Sequence, residues 1–388
     1  MNPSKPAIIR LASRGLAVAA LTVFTVTGCQ DCQDPRPGEE DITEVVPQAD
    51  PSDQDETTHA HPEDHGEDVR LFKRSRPMMG TIYEITVAGE SDGVAGPAIE
   101  AALDEISRLE EVLSEWQEGS EISEINRNAG GEAVTVGPDT FAVVAAGVEV
   151  GEWSNGAFDL SWAALRGLYD FRPGQQHIPD PAEVTPRLSL IDYEQIAIDP
   201  EARTVRIGRE GMQIGTGGIG KGYALDRAAD VLRARGLESF MLFGGGQVQV
   251  HGLRGNRPWR VGIQHPREPD FFAFLEATEG TISTSGDYEH FFIDDEGKRW
   301  HHILDTETGL PADKALSVTV VAPSGVYGDA LSTACFVLGA EQCLEMMARV
   351  PGGAEAVIVT SDFEVVMTPG IVDRMRWNIQ TENGFLPH

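Results

Sequence analysis

Basic residues are scarce in this sequence. Lys and Arg number 30 against 62 Asp and Glu, a formal net charge of −32 over 388 residues. A chain of that sign repels phosphate backbones, which excludes nucleic acid as a bulk electrostatic partner. Long apolar runs are absent. None reaches the roughly 18–20 residues of a membrane-spanning helix. No G-x-S-x-G elbow is present, so the usual support for a serine hydrolase is missing. No internal repeat is visible either. Aromatic residues are few beside 42 glycines, a ratio that implies many tight turns and close backbone approaches. What is present is a 41 % apolar content, enough for a sizeable core and too much for global disorder. The length allows one large domain or two modest ones.

The first seventy residues read as address and tether. Lys5, Arg10 and Arg14 precede a short apolar stretch, Gly15 to Phe24, that ends in Val26-Thr27-Gly28-Cys29. Small residues before a cysteine match the bacterial lipoprotein signal, so residues 1–28 are expected to be removed and Cys29 acylated. The remaining chain would be lipid-anchored to the bacterial cell membrane, with its body on the periplasmic or extracytoplasmic side. Residues 31–68 hold fourteen acids against Arg36 alone, with five prolines and almost no large apolar side chain. Such a stretch cannot bury enough surface to offset chain entropy, and 29–68 is read as a disordered acidic tether. Cys29 and Cys32 form a C-x-x-C whose first thiol the lipid explains. His59, His61 and His65 lie in the same low-complexity stretch.

Order is expected from 69 to the end. Thr81–Ala88 alternates as a strand. Pro97 opens a helix with Ile99, Leu103, Ile106, Leu109 and Leu113 inward. Ser120 is a good N-cap, and Pro138 opens a third helix. Prolines make 172–186 a loop. Hairpin strands follow at 196–198 and 204–207. A glycine turn then leads into a helix over 223–235, stopped by Gly236. Strands are expected at 239–250, 259–264, 290–304 and 316–322, then helices over 329–338 and 341–350. Mixed runs of strands and helices favour an α+β fold over a doubly wound sheet. Cys335 and Cys343, among Leu and Met, are read as buried free thiols.

Four segments could carry chemistry. Gly215 to Gly222 places glycines and Lys221 ahead of a helix, a plausible anion cradle. It is neither a G-x-G-x-x-G nor a spaced Walker motif, and the same turn could be only a turn. Asp329 and Thr333 fall one helical turn apart, a spacing that suits a hard cation. It equally suits an Asp favoured by the helix dipole and a Thr bonded to the preceding turn. His301-His302 precede Asp305 at a strand end, where a general base could sit. Strand alternation lets only one of the two imidazoles face a site. Ser283, Ser285 and Gly286 permit close approach of a ligand, and a hydrolase nucleophile there would need its own histidine and acid.

Taken in order, seven motifs resemble one family. They are Met79-Gly80-Thr81, Leu113-Ser114-Glu115-Trp116 with Ser120 and Asn126, and Gly156-Ala157-Phe158-Asp159. Gly217 to Ala224 with Asp226, Thr284 to Tyr288, His302 to Asp305 with Thr308-Gly309, and Asp329 to Ala334 complete them. The chain resembles an ApbE-type FAD:protein FMN transferase from about 78 to 360. The resemblance implies a single ApbE-like (T-fold-like) α+β body over 69–388, with mixed or antiparallel sheets and packed helices. It implies cleavage of the FAD pyrophosphate, attachment of FMN by a phosphoester to a Thr or Ser of a target protein, and release of AMP. Mg²⁺ is the implied cofactor, with Asp329, Thr333 and the Gly218 carbonyl as its ligands. His302 is the implied base, with Asp305 in support. Met79, Trp116, Ala157, Phe158, Asp159, Gly217, Lys221 and Ile303 are implied to contact FAD. The implied partners are exported or membrane redox subunits carrying an Asp/Ser-Gly-small-Thr/Ser-x-Thr acceptor.

Two departures stand out. The family's glycine motif usually starts Asp-Leu-Gly, whereas this chain has Gly215-Thr216-Gly217, without the carboxylate expected to contact FAD. Gly246-Gln247 replaces a polar residue usual after Gly-Gly. A second reading of the same motifs is an exported lipoprotein that binds or hydrolyses FAD without modifying proteins.

Overall fold

The computed structural model of the chain describes residues 9–11, 69–89 and 91–378. The described residues all fall in one compact unit. The expected tether, Cys29 with its expected acylation, Cys32 and the three tail histidines lie outside the described residues.

Local chemistry accounts for most elements. After a three-residue strand β1 (Ile9–Leu11), a hairpin pairs β2 (Arg70–Met78) with β3 (Thr81–Gly89). Helix α1 (Asp92–Leu113) lays its Ile99, Leu103, Ile106 and Leu109 stripe into the core. It starts one turn before Pro97, because Ala95 and Ala98 are buried and packing extends the helix through the proline. Ser120 caps α2 (Glu121–Arg127), its Oγ accepting from Ser123 N at 3.0 Å. Next come β4 (Val134–Thr135) and α3 (Pro138–Ser154).

The stretch read as a proline loop runs into α4 (Pro181–Leu188), started by a capping box between Asp180 and Glu183 with Pro181 in the first turn. β5 (Ile196–Asp199) and β6 (Thr204–Ile207) form the expected hairpin. Helix α5 (Gly220–Ala234) follows the glycine turn. The expected strand over 239–250 is two, β7 (Phe240–Gly244) and β8 (Gln247–His251). Gly245 (φ +54°) and Gly246 (φ +82°) turn the chain between them, a conformation open to glycine.

Strands β9 (Trp259–Gln264), β10 (Phe271–Ala277) and β11 (Glu279–Gly286) precede the short hairpin β12 (Phe291–Ile293) and β13 (Arg299–His301). β14 (Ala315–Ala322) is buried along its whole length. Helices α6 (Gly325–Leu338) and α7 (Ala340–Met347) meet at Gly339, then β15 (Glu355–Thr360), β16 (Val365–Met367) and β17 (Met375–Trp377) close the unit. The bend at Gly339 (φ +76°) brings Cys335 and Cys343 together, and they form a disulfide. The expectation of free thiols is thereby corrected; both are fully buried, as expected.

The fold is α+β, and every strand pair among the described residues is antiparallel. The main sheet runs β1-β16-β15-β14-β11-β8-β7-β3-β2. One face of it packs on α1, α5, α6 and α7 in the larger core, with α3 against α1 and α6. The other packs on the small sheet β17-β10-β9 in a second core. The site residues gather at the helical face.

Candidate functional site

Two helix starts meet backbone to backbone. A Cβ on Gly222 of α5 would stand 2.0 Å from the Gly325 carbonyl of α6, and one on Gly325 would stand 2.3 Å from the Gly222 carbonyl. Only glycine allows that approach. Asp226 locks the crossing. Its carboxylate accepts from Gly325 N (2.7 Å), Val326 N (2.9 Å) and Ser324 Oγ (2.9 Å). The motif residue Asp226 is thus a helix clamp.

The crossing places Asp329, one turn into α6, against the start of α5. Gly222 N donates to Asp329 Oδ2 at 2.9 Å, and the carboxylate is 2 % exposed. Burial pushes its pKa up, while Lys221 and the backbone N–H groups of Gly222 and Lys221 oppose that rise. Thr333 sits one turn on. A Cβ on Gly218 would lie 3.4 Å from Thr333 Oγ1 and 3.2 Å from the Phe158 ring. Ser285 Oγ lies 2.8 Å from Ser332 Oγ and 3.3 Å from Thr333 Oγ1. The back-bond from Thr333 Oγ1 to Asp329 O is long, 3.4 Å. Asp329, Thr333, Gly218 and Phe158, remote in sequence, therefore share one place.

Lys221 reaches across it. Its Nζ donates to Gly217 O at 2.7 Å, and its stem passes Gly245, where a Cβ would stand 3.1 Å from Cδ. It acts electrostatically on Asp329, Glu115 and His302. The two neighbouring histidines separate as strand alternation requires. His301 is buried, its Nε2 2.9 Å from Ala312 O and its ring edge-on to Phe336. His302 is half-buried on the Lys221 side and T-shaped against His290 at 5.2 Å. Burial, His290, His301 and Lys221 push the His302 pKa down to about 3. This imidazole is neutral at pH 7, and its Nδ1 has no hydrogen-bond partner.

Met79 occupies the β2–β3 turn with φ +49°, ahead of Gly80 at +72°. A non-glycine residue in the left-handed region needs outside support. Glu110 Oε1 accepts from Met79 N at 2.6 Å, and the fully buried Tyr83 donates its hydroxyl to Met79 Sδ at 3.2 Å. Trp116 is 72 % exposed, with the Arg166 guanidinium 4.7 Å from its ring centroid. Ala157 is half-buried beside Phe158, and Gly217 is exposed at the turn.

Three of the expected residues also hold groups of the chain itself. Both Asp159 oxygens face the chain itself, accepting from Ser161 N (2.7 Å), Ser161 Oγ (2.6 Å) and Tyr193 N (2.8 Å). Burial raises its pKa to about 6. It is a loop clamp under Phe158. Asp305 Oδ1 caps its own turn through Glu307 N (2.8 Å) and Thr308 N (3.2 Å). Ile303 is a core residue whose carbonyl accepts from Ala312 N at 3.0 Å. Sequence reasoning also passed over Glu115 and Arg166. Glu115 lies in the Leu113-Ser114-Glu115-Trp116 motif, but nothing local marks which element it reaches.

No cluster of three His, Cys, Asp or Glu side chains exists among the described residues. The donors at Asp329 are one buried carboxylate, hydroxyls and a nearby backbone carbonyl. That all-oxygen set fits a hard divalent cation, and a cation would offset the desolvation of Asp329.

Residues 79–358 match the model of the ApbE family. An FAD:protein FMN transferase of Treponema pallidum is 31 % identical over 331 residues, covering 79 % of this chain and 90 % of that protein. One from Klebsiella pneumoniae is 30 % identical over 310 residues, covering 78 % and 93 %. Among solved structures, an ApbE protein of Thermotoga maritima superposes with TM-score 0.72 at 30 % identity, covering 79 % of this chain and all of that one. The flavin transferase ApbE of Vibrio cholerae superposes with TM-score 0.68 at 26 % identity, covering 79 % and 99 %.

Proposed function

The chain belongs to the ApbE family, and we propose that it is an FAD:protein FMN transferase. One observation carries the chemistry: Lys221, the buried Asp329 and the neutral His302 converge on the glycine turn that starts α5.

Phosphoryl transfer depends on positioning and charge neutralisation more than on covalent help. The bare turn at Gly217–Gly218 gives a pyrophosphate room to approach the α5 N-terminus, whose dipole favours anions. Lys221 adds a positive charge there. Asp329, Thr333 and the Gly218 carbonyl would hold Mg²⁺, which supplies Lewis-acid neutralisation of the pyrophosphate when bound. Trp116 offers an exposed π-face for the flavin ring. Met79 and Phe158 border the same site from the hairpin turn and the Asp159 loop.

His302 accepts the proton of the acceptor hydroxyl. The hydroxyl oxygen forms a bond to the FMN phosphorus as the bond to the bridging oxygen breaks, and AMP leaves with that oxygen. A free-enzyme pKa near 3 keeps the imidazole unprotonated, hence available. The phosphate charges of bound FAD would raise its basicity when the proton arrives.

The same reading places the chain as a lipoprotein anchored through Cys29, acting on exported or membrane redox subunits. The acidic tether would be repelled by an anionic bilayer and space the body from it. Removal of residues 1–28 would take β1 with it and open the β16 edge.

The test mixes the full chain with FAD, Mg²⁺ and a domain carrying the acceptor motif. Covalent FMN on the acceptor, read by mass and in-gel fluorescence, is the expected result. FAD hydrolysis with an unmodified acceptor would reject the transferase reading. The mass of the mature N-terminus from cells tests the anchor, and an unmodified Cys29 rejects it.

A further inference from the structure

We infer that Glu115 is a positioning residue of the FAD site, supplying from the end of α1 a carboxylate that fills the side-chain space of position 215. The inference rests on the transferase reading and concerns how that site is held in shape for its dinucleotide.

Gly215 does not adopt a left-handed conformation, so its backbone does not require glycine. Its space is taken instead. A Cβ at 215 would stand 2.7 Å from Glu115 Oε2 and 3.2 Å from Glu115 Cδ. The Glu115 side chain is only 6 % exposed. Its Oε2 accepts from Thr216 N at 2.5 Å, and the Gly217 N–H also stabilises the carboxylate. The glycine turn is thus tethered at its second and third residues by a group 101 positions away.

The other carboxylate oxygen faces Arg166. Arg166 Nη2 is 3.5 Å from Glu115 Oε1, and Arg166 Nη1 donates to the Glu115 carbonyl at 2.8 Å. Arg166 Nε and Nη2 are buried without a hydrogen-bond partner, so the guanidinium has no competing tie at those atoms. Its face lies under Trp116. Glu115 therefore sets Arg166, and Arg166 sets the ring. One carboxylate holds both the turn that leads to Lys221 and the exposed aromatic. A turn of bare glycines is otherwise conformationally free, and fixing it before binding removes an ordering cost. The Glu115 carboxylate is buried between Thr216 N and Arg166, so it acts through the turn and the ring.

A reciprocal exchange in the full chain tests this. Glu115→Ala is expected to weaken FAD binding roughly tenfold, with KM for FAD raised and kcat changed less than about threefold. Binding is read by quenching of tryptophan fluorescence on FAD titration. Gly215→Asp alone places two carboxylates in one space and should weaken binding similarly. Glu115→Ala with Gly215→Asp should return Kd to within about threefold of the parent, because the vacated space receives a carboxylate again. Circular dichroism melts establish that each variant is folded. Unchanged Kd in Glu115→Ala overturns the inference, as does a folded double variant no better than the worse single. If Glu115→Ala does not fold, the isosteric Glu115→Gln decides on the same terms. A parent chain that binds FAD yet transfers no FMN would reject the transferase reading and leave these binding comparisons decisive.

Discussion

The two faces of β8 and β11 differ in kind. Toward the small sheet they present Val248, Val250 and Ile282, in one core with Trp259, Phe272 and Leu275. Toward α6 they present Gln247, Gln249, Thr281 and Ser283, all buried. Thr281 and Ser283 press on Gly328, next to Asp329, where a Cβ would meet Thr281 Cγ2 at 2.7 Å and Ser283 Oγ at 2.8 Å. Gln247 Oε1, Gln249 Oε1 and Ser283 Oγ have no hydrogen-bond partner. A buried group left without any partner costs about 1–3 kcal/mol. The apolar face can therefore be read as the part that stabilises, and the polar face as the part that carries the site at some expense of stability. The same strands serve both, since alternate residues point to opposite faces.

The comparison can be broken at several points. On the polar face, Asp329→Ala should reduce FMN transfer by about 10³-fold or more while the fold survives. Retention of full metal-dependent transfer would remove Asp329 from the site. His302→Ala should slow transfer about 10²–10⁴-fold with FAD binding kept, a split measured by single-turnover transfer beside fluorescence titration. Equal losses in both would make His302 a binding residue instead.

On the apolar face, Phe272→Ala should lower stability by about 3–5 kcal/mol, read by urea unfolding, because a fully buried ring is lost. Activity per folded molecule should be unchanged. A loss of activity in the fully folded variant would show that the two faces are coupled. Replacing Cys335 and Cys343 together with Ala should cost about 2–3 kcal/mol, since their bond closes a short loop in α6–α7. Transfer should persist below the lowered Tm.

A further effect concerns pH. The folded pKa of His302 is depressed to about 3 from an ordinary 6.5, so the unfolded chain binds its proton first. Its contribution to stability is present above pH 6.5 and is lost as pH falls from there toward 3. His302→Gln should flatten the decline in urea midpoint between those values. An unaltered slope would mean that the ring is not buried neutral.

Much of this was legible in the sequence, and the failures have physical causes. The strand at Thr81–Gly89, the Ser120 cap and the β5–β6 hairpin follow from alternation and capping, which depend on near neighbours. β10 escaped notice because Phe271 to Leu275 is a nearly continuous apolar run without a period. The α4 capping box was hidden by three nearby prolines that elsewhere mark loops. Pro97 reads as a helix start because a proline is welcome there, whereas burial of Ala95 and Ala98 extends the helix back to Asp92. For Asp159 and Asp305, which the resemblance implies at the FAD site, no periodicity reveals that backbone N–H groups two or three residues away also bind them.

By itself the sequence determined the α+β class, most helices, and the residue types a pyrophosphate and a cation would require. Periodicity, caps and glycines are local quantities, settled within about four residues. Tertiary structure alone decided which groups met. Gly222 N reaches Asp329 across 107 positions and Thr216 N reaches Glu115 across 101. It also set His301 against Phe336 and His302 toward Lys221, joined the two thiols, and showed what fills the space at Gly215. The reason is that contacts between distant segments depend on helix crossing and sheet facing, and a carboxylate has the same local signature whether it faces a ligand, a lysine or its own loop. The scarcity of positive charge takes on a sharper meaning in that light. In a chain of net charge −32, Lys221 and Arg166 are placed where the fold brings carboxylates and a glycine turn together.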